Sequence, residues 1–146
     1  MRNMHDQTRL FLNPKIYVAD SKIHGRGVFT SDVIYPEEII EQAHVVHPAS
    51  KSANNLDEIY RKYFFGWPFL KQDWRKYVQE YGSLPIDQIT YPVCVLGFGM
   101  IYNHNRLNPN ANVNLNTSEN YVEFKANRKI EAFEEITICY NPKLDL

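Results

Sequence analysis

Asn103-His104, then Pro109-Asn110-Ala111, then Glu134-Glu135-Ile136-Thr137-Ile138-Cys139-Tyr140-Asn141 stand in this order near the C-terminus, and their reading decides the fold. Residues 136–140 read as a strand, short and rich in β-branched and apolar types. Asn103-His104 follow the apolar approach Leu96-Gly97-Phe98-Gly99-Met100-Ile101-Tyr102, which suits a chain entering a pocket from the core. Taken singly, His104 reads as a structural histidine and Tyr140 as a core tyrosine at a strand end. A polar pair, a Pro-Asn turn and a Glu-Glu-Ile-Thr strand together are hard to explain as ordinary packing.

Working outward, residues 14–20 and 26–31 read as strands separated by a turn at His24-Gly25, and residues 38–47 as a third strand ending at Pro48. The period then changes. Leu56, Ile59, Tyr60 and Tyr63 fall at helical spacing, and Asn55 with Glu58 resembles a capping box, so residues 56–64 are expected to be helical. Leu70, Trp74, Tyr77, Val78 and Tyr81 form a second helical stripe stopped by Gly82, with a buried helix face as the default reading. Strands return at 89–96, 112–116, 121–126 and 136–140, with a helical turn at 97–102 and no internal repeat. Many short strands bounded by Gly, Pro and Asn, around one helical insert at 50–82, predict an irregular, mainly β domain.

The 146 residues suit one domain and can bury a real core. With 16 Lys+Arg against 17 Asp+Glu, the net charge of -1 and the lack of a dense basic run argue against nucleic-acid binding. Glu37, Glu38 and Glu41, and again Glu131, Glu134 and Glu135, collect locally and read as solvated turns or as a dock for a basic peptide. The N-terminal stretch lacks the apolar run of a signal peptide, and the longest apolar stretch, Val93 to Tyr102, is too short to span a bilayer. A soluble intracellular protein is expected, cytoplasmic or nuclear. Cys94 and Cys139 read as buried reduced thiols, and His44 and His47 face opposite sides of a strand, so no metal site is expected.

The quoted segments resemble the two signature segments of the SET-domain protein lysine methyltransferases. Ser21-Lys22-Ile23-His24-Gly25-Arg26-Gly27-Val28-Phe29 is similar to that family's opening Gly-x-Gly-Val-Phe segment, and Pro36-Glu37-Glu38-Ile39-Ile40 to the strand start after it. Residues 96–104 are similar to the approach to the Asn-His pair in small stand-alone SET proteins of viruses and bacteria. The likeness runs from Lys15 to Asn141 and implies a single SET domain over residues 1–146, in a β-clip-like fold. Several small sheets would surround a threaded, knot-like C-terminal segment.

The resemblance also implies chemistry: a methyl group moves from S-adenosylmethionine to a lysine amine of a protein substrate, leaving S-adenosylhomocysteine. Tyr140 occupies the position of the family's catalytic tyrosine. His24, Gly25, Arg26, Gly27, Asn103, His104 and Tyr140 would contact the cofactor, glycine permitting close approach in the first turn. Phe98 and Tyr102 are candidates for the lysine channel or for the core. The amine must be neutral to attack, which at pH 7 costs roughly 4.6 kcal/mol from a free pKa of about 10.4, so an aromatic-lined, desolvated channel is expected. No cysteine-rich post-SET module is expected to wall that channel. The tail 142–146, the insert or a second subunit, as in a homodimer, is expected to do so. The alternative for the same groove is a catalytically silent SET-like module that binds a peptide or partner.

Overall fold

The computed structural model describes residues 10–47, 65–68 and 90–139, and every regular element within them is a strand. In chain order these are β1 (Ile16–Asp20), β2 (Arg26–Thr30), β3 (Ile39–Val46), β4 (Phe65–Pro68), β5 (Thr90–Val95), β6 (Asn103–His104), β7 (Ala111–Asn116), β8 (Tyr121–Ala126) and β9 (Glu135–Ile138). They form two sheets, one ordered β1-β2-β9-β6 and the other β4-β5-β3-β8-β7. The mainly β expectation holds, and seven of the strands lie where their composition placed them. The sequence-predicted helices at 56–64 and 70–81, and Tyr140, lie outside the described residues.

Two strands were not anticipated. β4 sits inside the 50–82 insert, between the two stretches read as helical. Phe65 and Trp67 both point into the core while Gly66 between them is exposed, the period of a strand and not of a helix. Pairing with β5, Phe65 opposite Val93, fixes that period, and four residues are too few to display it in the sequence. β6 is shorter still, and runs parallel to β9 with Asn103 opposite Thr137 and His104 opposite Ile138.

Burial follows from how each strand is covered. β8 alternates, with Val122, Phe124 and Ala126 inward, because one of its faces packs on the core. In β9, Ile136, Thr137 and Ile138 are all buried, as expected of a strand covered on both faces. The 105–110 loop does part of the covering, because it begins and ends on β9. The Asn105 N–H donates to the Ile138 carbonyl at 3.0 Å, and the Asn110 side-chain oxygen accepts from the Thr137 N–H at 2.8 Å.

An internal duplication, not seen in the sequence, organises the two sides of the core. Ile34 and Ile130 exchange backbone hydrogen bonds of 2.9 and 2.8 Å, and each opens a turn of the same construction. Glu37 and Phe133 adopt positive φ of 71° and 67°. The carboxylates of Glu38 and Glu134 accept from the N–H groups of Tyr35 and Glu131 at 3.2 and 3.0 Å. A buried asparagine serves each turn: Asn13 donates to Glu38 and the Ile39 carbonyl, Asn110 to Glu134 and the Glu135 carbonyl. Lys15 and Arg128 complete the two sites as cations on Glu38 and Glu134. Burial alone would raise the Glu134 pKa, but the Glu131 backbone N–H, Arg128 and Asn110 hold it below the ordinary carboxylate value.

Candidate active site

The opening turn and β6 meet through one side chain. The Asn103 amide nitrogen donates to the carbonyls of His24 at 2.9 Å and Arg26 at 3.1 Å and to a Glu135 carboxylate oxygen at 2.9 Å. Three acceptors around one end identify that end as the NH2, so the side-chain oxygen points the other way. That oxygen has no hydrogen-bond partner among the described residues. The turn is fastened from within as well: the Ser21 hydroxyl accepts from the Ile23 N–H at 2.9 Å and donates to Glu135 at 2.6 Å. Gly25 holds φ of 48°, and a Cβ built on it would meet nothing within 4 Å, so the turn has an open face there. Gly27 is needed for the opposite reason, because the Glu135 carboxylate lies where its Cβ would be.

His24, Gly25, Arg26, Gly27 and Asn103 are thus brought together. His24 and Arg26 expose their side chains and contribute carbonyls to Asn103, while the Arg26 guanidinium pairs with exposed Asp20 at 3.1 Å. His104 follows Asn103 on β6, so its side chain takes the other face of the strand. Burial lowers its pKa to about 4, leaving the imidazole neutral at pH 7. With the folded value below the unfolded one, its contribution to stability is complete above about pH 6.5 and is lost as pH falls through the folded value.

Tyr102 resolves to the core. It is 1% exposed, its ring stacks on Phe124 at 4.4 Å, and its hydroxyl donates to Glu41 at 2.8 Å. Phe98 is half-buried against the core, and its N–H donates to the second Glu41 oxygen at 3.0 Å. Glu41 corrects a sequence expectation: placed among solvated acids, it is 2% exposed and holds the 97–102 turn that delivers Asn103. An isolated Glu in a β-rich segment carries no local sign of such a partner. Ser21 and Glu135, although inside the motifs, likewise showed no role until the fold joined residues far apart in sequence.

Burial raises the Glu41 pKa, and the hydrogen bonds from Phe98 and Tyr102 offset only part of that. A carboxyl whose folded pKa is raised stabilises the fold below its unfolded value and loses that contribution as pH rises through the folded value. Glu41→Gln, which keeps an acceptor for Phe98 and a donor toward Tyr102, is therefore expected to stay within about 1 kcal/mol of wild type and to improve relative to it as pH rises. Tyr102→Phe is expected to lose about 1–3 kcal/mol by stripping a donor from a buried carboxylate. Urea unfolding at pH 5 and pH 8 checks both. A Glu41→Gln variant that loses ground as pH rises would overturn this account.

With this geometry in place, the family follows. The SET domain model matches residues 25–141, most of the chain, and the chain belongs to the SET-domain family. A solved chain from Plasmodium falciparum, a candidate histone methyltransferase, matches at a TM-score of 0.62 and 25% identity, over 91% of this chain and 98% of that one. ATXR5, solved in complex with histone H3.1 mono-methylated on an arginine, shares the fold at a TM-score of 0.57 and 12% identity, over 88% of this chain and 58% of its own. No curated protein matches the sequence. Among the described residues there is no helix long and apolar enough to cross a membrane, and Cys94 and Cys139 are free thiols.

Proposed function

We propose that this protein transfers a methyl group from S-adenosylmethionine to the side-chain amine of a lysine in another protein, acting as one catalytic domain over residues 1–146. One observation carries the reading: in a SET-family chain, Asn103 spends its amide nitrogen on the 24–26 turn and Glu135, and its oxygen has no hydrogen-bond partner among the described residues. An amide oxygen left available on a side chain tied to that turn fits the ammonium of an amino-acid moiety. When bound, S-adenosylmethionine supplies an electrophilic sulfonium methyl. The 24–27 turn, Asn103 and His104 hold the cofactor, and a neutral His104 adds no positive charge to repel the sulfonium. Tyr140 orients the incoming amine. Phe98, on the half-buried side of the 97–102 turn, contributes an apolar wall. The histone complex of ATXR5 and the likeness to the Plasmodium chain support a protein substrate.

Calorimetry with S-adenosylmethionine in the presence of a chelator, followed by labelled-methyl transfer to proteins of a cell extract, tests the reading. Metal-independent binding and label on lysine are expected. No heat of binding would sink the cofactor assignment, and binding without transfer to any protein would leave a silent binding module in its place.

A further inference from the structure

Glu135 sits behind the proposed cofactor turn, where it touches nothing that could react. Its carboxylate reaches two partners at once, accepting from the Ser21 hydroxyl on one oxygen and from the Asn103 amide on the other. Gly27 leaves the room it needs. Because Asn103 can be turned end for end at little steric penalty, its orientation is set by what surrounds it. The His24 and Arg26 carbonyls favour the NH2 end, and the Glu135 charge strengthens that choice.

We infer that Glu135 is a positioning residue for cofactor capture: it locks the Asn103 amide so that the oxygen faces the amino-acid end of the ligand, and it anchors the turn through Ser21. This rests on the proposed S-adenosylmethionine reading and deepens it. A glutamine at this position has one acceptor and one donor. With its oxygen toward Asn103, its NH2 faces a Ser21 oxygen that already accepts from the Ile23 N–H, and the Ser21 proton is left without an acceptor. With its NH2 toward Asn103, it favours the flipped amide, whose NH2 would confront a cofactor ammonium. Either way the lock weakens.

The test compares two probes. S-adenosylmethionine carries the amino-acid end, and 5′-methylthioadenosine lacks it. Glu135→Gln is expected to weaken S-adenosylmethionine binding roughly 10- to 100-fold, the range of a charge-assisted hydrogen bond, while changing 5′-methylthioadenosine binding less than about threefold. In steady-state assays KM for the cofactor should rise far more than kcat falls. Ser21→Ala should show a smaller, equally selective loss, and the double variant should lose less than the sum of the singles because both act through one carboxylate. Should Glu135→Gln fail to fold, the Ser21→Ala selectivity alone decides. Equal loss for both probes, or no loss for either, would overturn the inference. A wild type that binds neither probe would instead bring down the cofactor reading on which it rests.

Discussion

Asn110→Ala is expected to destabilise the fold by about 2–6 kcal/mol, a large share of the roughly 5–15 kcal/mol that holds a domain together. Asn110 is 1% exposed, and its side chain accepts from the Thr137 N–H at 2.8 Å while donating to the Glu135 carbonyl at 2.9 Å and to Glu134 at 3.3 Å. Alanine leaves two backbone groups of β9 without these partners in a segment closed to water, at about 1–3 kcal/mol each. The midpoint of thermal unfolding should drop by roughly 5–20 °C. Asn110→Asp should be at least as damaging, since it gives up the donor and sets a second negative charge beside Glu134. Asn13→Ala removes the equivalent amide from the duplicate turn and should cost less, because Lys15 still holds Glu38 at 3.1 Å and the Asn13 backbone N–H keeps its own bond to Ile40. Equilibrium urea unfolding of the three variants measures the order. A loss under 1 kcal/mol for Asn110→Ala would mean that the loop crossing over β9 does not depend on this amide.

The same residues explain what the sequence could disclose. Strands with local signatures were readable: β8 alternates over six residues, and the β1–β2 hairpin is announced by His24-Gly25. Pairing across distance was not. β6 is two residues long and exists because β9 runs beside it, so Asn103-His104 showed its chemical types but not that it is a strand. The duplication escaped for a more instructive reason. The shared Glu-Glu-Ile strings at 37–39 and 134–136 invite an alignment that is one residue out of register, whereas the fold equates Glu38 with Glu134 through their turns and their asparagines. Sequence identity there is a poor guide because the carboxylate and the turn geometry carry the construction, and neighbouring side chains are free to differ.

Glu135 and Asn110 also show why stability and the candidate site are joined. Asn110 grips β9 through the backbone of Glu135, whose side chain holds Asn103 and the opening turn. A change at Asn110 therefore reaches the cofactor turn through one residue. A change at Glu41 reaches it from the other side, through Tyr102 and the 97–102 turn.

Tyr140→Phe is expected to remove most methyl transfer while leaving cofactor binding and the fold nearly intact. Tyr140 follows directly on β9 and Cys139, and the last backbone bond before it, from the Asn105 N–H to the Ile138 carbonyl at 3.0 Å, fixes the chain two residues upstream. The substitution deletes one hydroxyl and keeps the ring, so in the proposed reading only the polar contact to the reacting amine is lost. Removing one such transition-state contact corresponds to about 2–4 kcal/mol of stabilisation, or roughly 30- to 1,000-fold slower turnover. The wild-type rate should rise with pH, because the substrate amine must lose its proton before it attacks, and neutralising a free lysine at pH 7 costs roughly 4.6 kcal/mol. Tyr140→Phe should keep that slope at a lower level, since the proton lost is the substrate's. Single-turnover transfer to a lysine-bearing protein under saturating S-adenosylmethionine, with calorimetry on the same samples, separates the steps. Equal transfer rates in wild type and variant would remove Tyr140 from catalysis, and a matching loss of cofactor affinity would make it a binding residue instead.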